Sequence, residues 1–123
     1  MSVLKAFNEQ LLRFFEELQS TYPEERDIRM AVDAISNAKK INPRLVLDLF
    51  YEHVYKDHAQ SIYAKDVPTI IDVVNEKIKT QFNDMMVALT IFNKHWYSMT
   101  PGNQETIIQY LVVLCKLCER ARA

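Results

Sequence analysis

Hydrophobic residues recur at intervals of three and four along most of this chain, and that spacing places them on one face of an α-helix. The first stripe runs from Val3 to Leu18, and charged residues occupy much of the opposite face. The pattern predicts an amphipathic helix over about residues 3–19. Phe14 and Phe15 are adjacent, so their side chains cannot point in the same direction. We expect one ring in the core and the other at its edge or against a partner.

Four prolines mark the starts of further helices, because a first helical residue has no use for the N–H that proline lacks. The second helix is predicted from Pro23 to about Lys40, the third from Pro43, the fourth around Pro68 and the last from Pro101. Side chains with an oxygen that can accept from a free backbone N–H precede three of the predicted helices. These capping residues are Ser2, Asn42 and Thr100.

Two stretches have no clear boundary. The residues after Lys56 are less apolar, and we interpret them as a fraying helix end or a short separate turn. Between Thr80 and Asp84 there is no Gly or Pro, so the fourth helix either continues there or bends near Asn83. A fifth segment with apolar residues at helical spacing follows, and we expect it to end by Met99.

The last stretch, Thr100–Ala123, has a wide apolar arc that includes Ile107, Leu111 and Leu114. A helix that is apolar over so wide an arc is usually buried against several neighbours. We therefore predict an all-α fold, a single domain over residues 1–123. It is expected to be a compact bundle of five or six helices with a central, buried C-terminal helix. The predicted core residues are Phe7, Ile35, Leu49, Phe50, Ile71, Phe92, Leu111 and Leu114.

The composition is that of an ordinary globular domain, with 123 residues, 49% of them hydrophobic, and one glycine. So few glycines argue against a protein of strands and tight turns. The formal net charge of −1 gives no global basic field to attract nucleic acid or an anionic membrane. No apolar run reaches the ~18 residues of a membrane span, and the N-terminus lacks the apolar core of a secretory signal. We expect a cytoplasmic location and no membrane partner.

Cys115 and Cys118 have the spacing of a metal-binding or redox pair. A structural zinc site needs four ligands, however, and His53, His58 and His95 are scattered along the chain. The pair also lies near a helix C-terminus, where the helix dipole disfavours a thiolate. We expect both thiols to pack in the core, and we expect no catalytic residue, cofactor or metal. An enzyme or metal protein built on the two cysteines remains a third function class.

The aromatic content, 11% of the chain, is the main positive indication of function. Amphipathic aromatic side chains at a surface favour protein contacts, although tyrosines half-buried at the edge of the core would give the same composition. The leading hypothesis is a non-enzymatic protein that binds a partner protein or self-associates as a homo-oligomer, in an interaction, structural or accessory role. The candidate contact residues are Phe15, Tyr51, Tyr55, Tyr63, Trp96 and Tyr97.

A second function class is a nucleic-acid accessory protein. Lys39, Lys40 and Arg44 lie on the two sides of Asn42, at one predicted helix junction, and could form a local basic patch. Nucleic acid is nevertheless the less favoured partner, because the charge of the whole chain is close to zero.

Four stretches contain an early Phe-Asn, a Tyr-Pro break, an Asn-Pro helix start and a terminal Asn-Gln before a helix with Tyr and Leu. They are AFNEQLLRFFEELQSTYPEERDI, KKINPRLVLDLFYEHV, IYAKDV and NQETIIQYLVVLCKLCERA. In these features the chain resembles short, uncharacterised, all-helical proteins encoded by large nucleocytoplasmic DNA viruses of algae and protists. The resemblance implies a viral protein located in the host cytoplasm or virus factory. Its motifs are structural, so no active-site residue is carried over.

Overall fold

A computed structural model describes residues 2–79 and 86–123 of the chain. Within these ranges the backbone forms helices and turns and no strand, which confirms the predicted all-α fold class. The predicted boundary between Thr80 and Asp84 lies outside the described residues. The α-helices are α1 (Val3–Thr21), α2 (Arg26–Ile41), α3 (Pro43–Phe50), α4 (Lys56–Tyr63), α5 (Val67–Ile78), α6 (Val87–Lys94) and α7 (Pro101–Arg122).

Within the described residues, four helices begin with a side-chain cap. Ser2, Asn42, Asp66 and Thr100 each accept a hydrogen bond from a backbone N–H two or three residues further on, at N···O distances of 3.0–3.3 Å. Each bond satisfies one of the amide groups that a first helical turn leaves unpaired. Proline occupies the first or second position of α3, α5 and α7, which confirms the predicted starts of those helices.

The second helix starts later than predicted. Pro23 lies in a turn that is closed by a hydrogen bond from the Glu25 N–H to the Tyr22 carbonyl oxygen, at 3.0 Å. Pro23 is the second residue of this β-turn, a position that suits its fixed φ. The helix itself begins at Arg26. The prediction that Pro23 begins the second helix was therefore wrong, because this proline lies in the loop before the first helical turn.

The chain from Pro43 to Tyr63 is one continuous helical rod. α3 passes into a π-helical segment, Tyr51–Tyr55, which passes directly into α4, and the backbone at both joints stays in the right-handed helical region. The prediction of a fraying end or a separate turn after Lys56 was therefore wrong. Ile62 is fully buried, and α4 packs against α5 and α7. These tertiary contacts stabilise α4 as a helix, although its sequence is only weakly apolar.

Helix α1 packs against α7, α2 and α3. Both Phe14 and Phe15 are buried, at 1% and 0% exposure. The Phe14 ring stacks on Tyr110 of α7 with the ring centroids 5.2 Å apart. The prediction that one ring lies in the core and the other at its edge or against a partner was wrong, because a helix packed against several neighbours can bury adjacent residues. Phe15 is therefore a core residue and not a partner contact.

Helix α7 packs against α1 and also against the π segment and α4. Its opposite face is open to solvent and includes Gln109, Val113 and Lys116. The buried face agrees with the predicted one. The buried residues are Ile107, Ile108, Leu111, Leu114, Cys115 and Cys118.

The predicted core is largely confirmed. Ile71 is half-buried and packs against the core. The side chain of Phe92 lies outside the described part of the chain. The confirmed residues are Phe7, Ile35, Phe50, Leu111 and Leu114.

Leu49 was predicted to be in the core, but it is 37% exposed. The buried face of α3 consists of Val46, Leu47 and Phe50. Because almost every residue of α3 is apolar, its sequence offers two overlapping stripes, and contact with α1 and α2 selects between them. Leu49 is left on the outer side of the rod.

Two polar side chains, Asn8 and His58, are buried among the apolar residues. Asn8 on α1 donates from Nδ2 to the Pro43 carbonyl oxygen at 3.0 Å, which joins α1 to the start of α3. His58 on α4 is 1% exposed, and neither of its ring nitrogens has a hydrogen-bond partner in the described part of the chain. Burial lowers the pKa of His58 to about 4, so its ring is neutral at pH 7.

Truncating one buried and one exposed leucine should show, by the loss of stability, which of the two belongs to the core. Leu114→Ala should lower the free energy of unfolding by about 2–5 kcal/mol, because the side chain is fully buried. Leu49→Ala, its control on the outer side of the rod, should cost less than about 1 kcal/mol. Urea unfolding followed by circular dichroism measures both values. Equal losses for the two variants would contradict the packing described above.

Acid should destabilise the fold through His58. The ordinary pKa of 6.5 applies to the unfolded chain and a pKa of about 4 to the folded one, so the folded state takes up the proton less readily. The contribution to stability is complete above pH 6.5 and is lost as the pH falls towards 4, by up to about 3 kcal/mol. His58→Leu should remove this dependence and be neutral or stabilising at pH 7, because two unpaired ring nitrogens are lost.

The measurement is the free energy of unfolding from pH 7.5 to 4 for the wild type and for His58→Leu. Subtracting the free energy of unfolding of one protein from that of the other removes the contribution of the titrating groups that both share. His53→Gln is the control, because His53 is only half-buried and its replacement should leave the acid sensitivity in place. A constant difference between wild type and His58→Leu over this pH range would exclude His58 as the source.

Candidate functional site

Tyrosines from the helical rod meet the last turns of α7 on one surface. Tyr51 and Tyr55 are one turn apart in the π segment, and their rings stack with centroids 5.5 Å apart and an interplanar angle of 16°. Tyr63 lies at the end of α4, and its hydroxyl contacts Glu119 in the same part of α7. We name Tyr51, Tyr55, Tyr63, Glu119 and Arg122 the tyrosine surface. π-helical segments inside longer helices are frequent at functional sites.

Arg122 fixes one edge of the tyrosine surface. Its guanidinium carbon lies 3.6 Å from the centroid of the Tyr51 ring, which is a cation–π contact. Its Nη1 is 3.1 Å from Oδ1 of Asp48 on α3. Arg122 therefore joins the last turn of α7 both to the π segment and to α3.

Glu119 joins the other two tyrosines to α7. The Tyr63 hydroxyl donates a hydrogen bond to Glu119 Oε2. Burial, followed by this hydrogen bond, raises the pKa of Tyr63. Burial and the nearby Glu119 charge likewise raise the pKa of Tyr55. Both phenols are thus protonated at neutral pH and act as donors towards the carboxylate.

The tyrosine surface is shallow. A depression of about 380 Å³ extends over Tyr51, Tyr55 and Arg122, and a second of about 620 Å³ extends from Tyr63 towards Lys116. Glu119 lines both depressions and separates them. Both are wide open to solvent, unlike the deep clefts that enclose small ligands. Their shape suits contact with another macromolecule.

The other predicted contact residues lie elsewhere. Trp96 is 8% exposed in a short 3₁₀ turn, Trp96–Ser98, and its carbonyl oxygen accepts a bond from Gln104 Nε2 at 2.7 Å. The prediction of Trp96 as a surface contact was therefore wrong. Tyr97 in the same turn is 79% exposed but lines neither depression. Of the six predicted residues, the structure brings together Tyr51, Tyr55 and Tyr63.

Cys115 and Cys118 are fully buried in the core. Burial raises the pKa of Cys115 to about 12 and that of Cys118 to about 11, so both are thiols at neutral pH. Metal ligation and redox exchange use the thiolate. Among the described residues, no three His, Cys, Asp or Glu side chains are grouped closely enough to hold a metal ion.

A polar cluster that the sequence did not reveal joins α2 to the end of α6. Glu25 accepts hydrogen bonds from Lys94 Nζ at 2.9 Å and lies 2.8 Å from His95 Nε2. The bond from Lys94, and then the contact with His95, lowers the pKa of Glu25. The His95 ring also stacks on Tyr22, with centroids 4.2 Å apart. The side chains of this polar cluster are paired with each other, which indicates a structural contact between distant parts of the chain.

The predicted basic patch lies where α2 ends and α3 begins. Lys39 is half-buried, and Lys40 and Arg44 are exposed. Arg44 Nε lies 4.0 Å from Asp48 Oδ1, so part of its charge is balanced. Ile41, at 83% exposure, interrupts the patch with apolar surface. Nucleic-acid binding through these residues remains a prediction.

Comparison of the chain with protein-family models, with curated proteins and with solved structures finds no match in any of the three. The resemblance to the viral proteins therefore rests on the sequence features alone. Within residues 2–79 and 86–123, no helix is both long enough and apolar enough to cross a membrane.

The two cysteines should be nearly unreactive in the native protein. At pH 8 we expect Ellman's reagent to label them more than about a hundredfold more slowly than a free thiol, because both are buried and protonated. Val113→Cys provides the matched control, since position 113 is exposed on the same helix. Absorbance at 412 nm follows the reaction, and guanidinium chloride should release both native thiols. Rapid labelling of the native wild type would contradict their burial.

Proposed function

We propose that this chain is a non-enzymatic protein-interaction domain whose tyrosine surface binds a partner protein. The observation that carries the proposal is the convergence of Tyr51, Tyr55 and Tyr63 around Glu119, on a shallow face open to solvent. Tyrosine and arginine are the residue types that contribute most often to binding energy at protein interfaces.

The fixed geometry of this surface supports the proposal. Tyr51 is held between Tyr55 and Arg122, and Tyr63 is held by Glu119. Side chains that are already ordered lose little conformational entropy when a partner binds. Their rings supply apolar area, while the hydroxyl, carboxylate and guanidinium groups supply polar contacts at the rim.

The state of the titratable groups supports a non-enzymatic role. Cys115 and Cys118 are buried with raised pKa values, and His58 is buried and neutral. The contact between Glu25 and His95 links two parts of the fold that are far apart in sequence. General acid–base catalysis needs such groups within reach of a substrate.

The resemblance to proteins of large DNA viruses supplies the setting of the proposal. In that setting the domain is an accessory or structural protein of the infected cell, located in the host cytoplasm or virus factory. The partner is then either a second copy of the chain or another protein present at the same place.

The solution mass of the wild type and of two tyrosine variants tests the proposal. Light scattering over a concentration series distinguishes a self-associating chain from a monomer. If the wild type is a dimer or larger, Tyr51→Ser and Tyr63→Ser should shift it to monomer, since they remove the rings at the two ends of the surface. If the wild type is a monomer, a photo-crosslinking amino acid at position 63 should yield a defined adduct with one partner protein in the cells that express the chain.

Tyr97→Ser, and the crosslinker at position 97, are the matched controls, because Tyr97 is exposed but lies outside the tyrosine surface. Thermal unfolding of each variant establishes that the fold is kept. Association or crosslinking that is lost on replacing Tyr97 and kept on replacing Tyr51 and Tyr63 would refute the proposed surface.

A further inference from the structure

A groove runs between α1 and the first half of α7. Its deeper part is a cleft of about 70 Å³, with Phe14, Leu18 and Ile107 lining its base. Tyr22, which directly follows α1, and Tyr110 of α7 also line it. A space of this size accommodates the end of one aliphatic side chain. It is too small for a cofactor or a drug-sized ligand, which need several hundred Å³.

A second, open depression of about 390 Å³ adjoins the cleft. Thr106 and Tyr110 line both, so the two spaces form one continuous surface, which we name the α1–α7 groove. Gln10 and Thr21 mark its extent on α1, eleven residues or about 16 Å along the helix axis. At Gly102 the groove is unobstructed, since a Cβ placed there would meet no atom within 4 Å. The groove therefore has room for a short peptide segment.

The charge along the groove has one sign. Glu17 and Glu105 line it, and no lysine, arginine or histidine is among the described residues that do. Both carboxylates are on exposed residues, and neither takes part in an ion pair found in the described part of the chain. An apolar cleft beside two free carboxylates is complementary to an apolar side chain with cationic neighbours.

We propose that the α1–α7 groove binds a segment of a partner protein that presents one aliphatic anchor flanked by lysine or arginine. The anchor enters the cleft between Tyr22 and Tyr110, and the cationic side chains pair with Glu17 and Glu105. The groove contains none of the five residues of the tyrosine surface, although Gln109 lines both the groove and the depression beside Tyr63. The variants used below change neither Gln109 nor those five residues, so this inference is tested independently of the function proposed above.

Short synthetic peptides with one central Leu, Ile or Met flanked by lysines are the probe, and peptides of the same length flanked by glutamates are the matched control. Backbone amide shifts in two-dimensional NMR spectra of the labelled chain locate the contact. We expect the lysine peptides to shift the amides of Leu18, Thr106 and Tyr110 with saturation, and the glutamate peptides to leave them unchanged.

Two sets of variants separate charge from fit. Glu17→Gln combined with Glu105→Gln should weaken lysine-peptide binding by about three- to tenfold, since each exposed charge pair contributes only modestly. Glu9→Gln combined with Glu16→Gln is the control, because these carboxylates are exposed on α1 outside the groove. Thr106→Arg places bulk and positive charge in the groove at an exposed position and should abolish binding.

Three results would overturn the proposal. The first is the absence of groove shifts with every lysine peptide at millimolar concentration. The second is equal shifts with the glutamate peptides, or shifts confined to the tyrosine surface. The third is a dimer that Thr106→Arg converts to monomer, because the occupant of the groove would then be a second copy of this chain.

Discussion

The rest of the structure depends on the packing of α1 against α7, α2 and α3. Phe14 faces α7, where it stacks on Tyr110, while Phe7 meets the Phe50 ring of the rod edge-on at 5.2 Å. Asn8 adds a directional bond to the carbonyl that begins α3. Aromatic rings give large buried areas, and the hydrogen bond fixes the register between two helices whose apolar contacts alone would allow sliding. α1 therefore sets where both α7 and the rod lie.

The tyrosine surface follows from that arrangement. α7 is anchored along α1 at its beginning and middle, and its last turns are brought against the rod. A π-helical segment contains about one more residue per turn than an α-helix, so it changes which side chains face the neighbouring helix. Val54 stays buried in this segment while Tyr51 and Tyr55 stack beside the end of α7. Glu119 and Arg122 then connect to tyrosines that are far away in sequence.

Features decided within a few residues could be predicted from the sequence. The caps at Asn42 and Thr100 and the buried face of α7 are of this kind, because a cap or an apolar stripe is complete within one helix. Features decided between helices could not. Leu49 and Phe15 both have apolar neighbours in the sequence, so the pattern does not show which of them is exposed. Only the packing of α1 against α3 and α7 distinguishes the exposed Leu49 from the buried Phe15. For the tyrosine surface, the sequence indicated which residue types would take part but not which of them lie together.

The buried face of α7 links the two candidate binding surfaces. The α1–α7 groove uses the exposed side of its first half, around Thr106 and Tyr110, and the tyrosine surface uses its last turns at Glu119. Between them the helix is held by a continuous row of core residues that includes Leu111 and Leu114. A helix packed in this way moves as one body, so a change in the row disturbs both surfaces together. Only substitutions on the exposed side can affect one surface and leave the other intact, which is why the two interactions are separable by variants of solvent-facing residues.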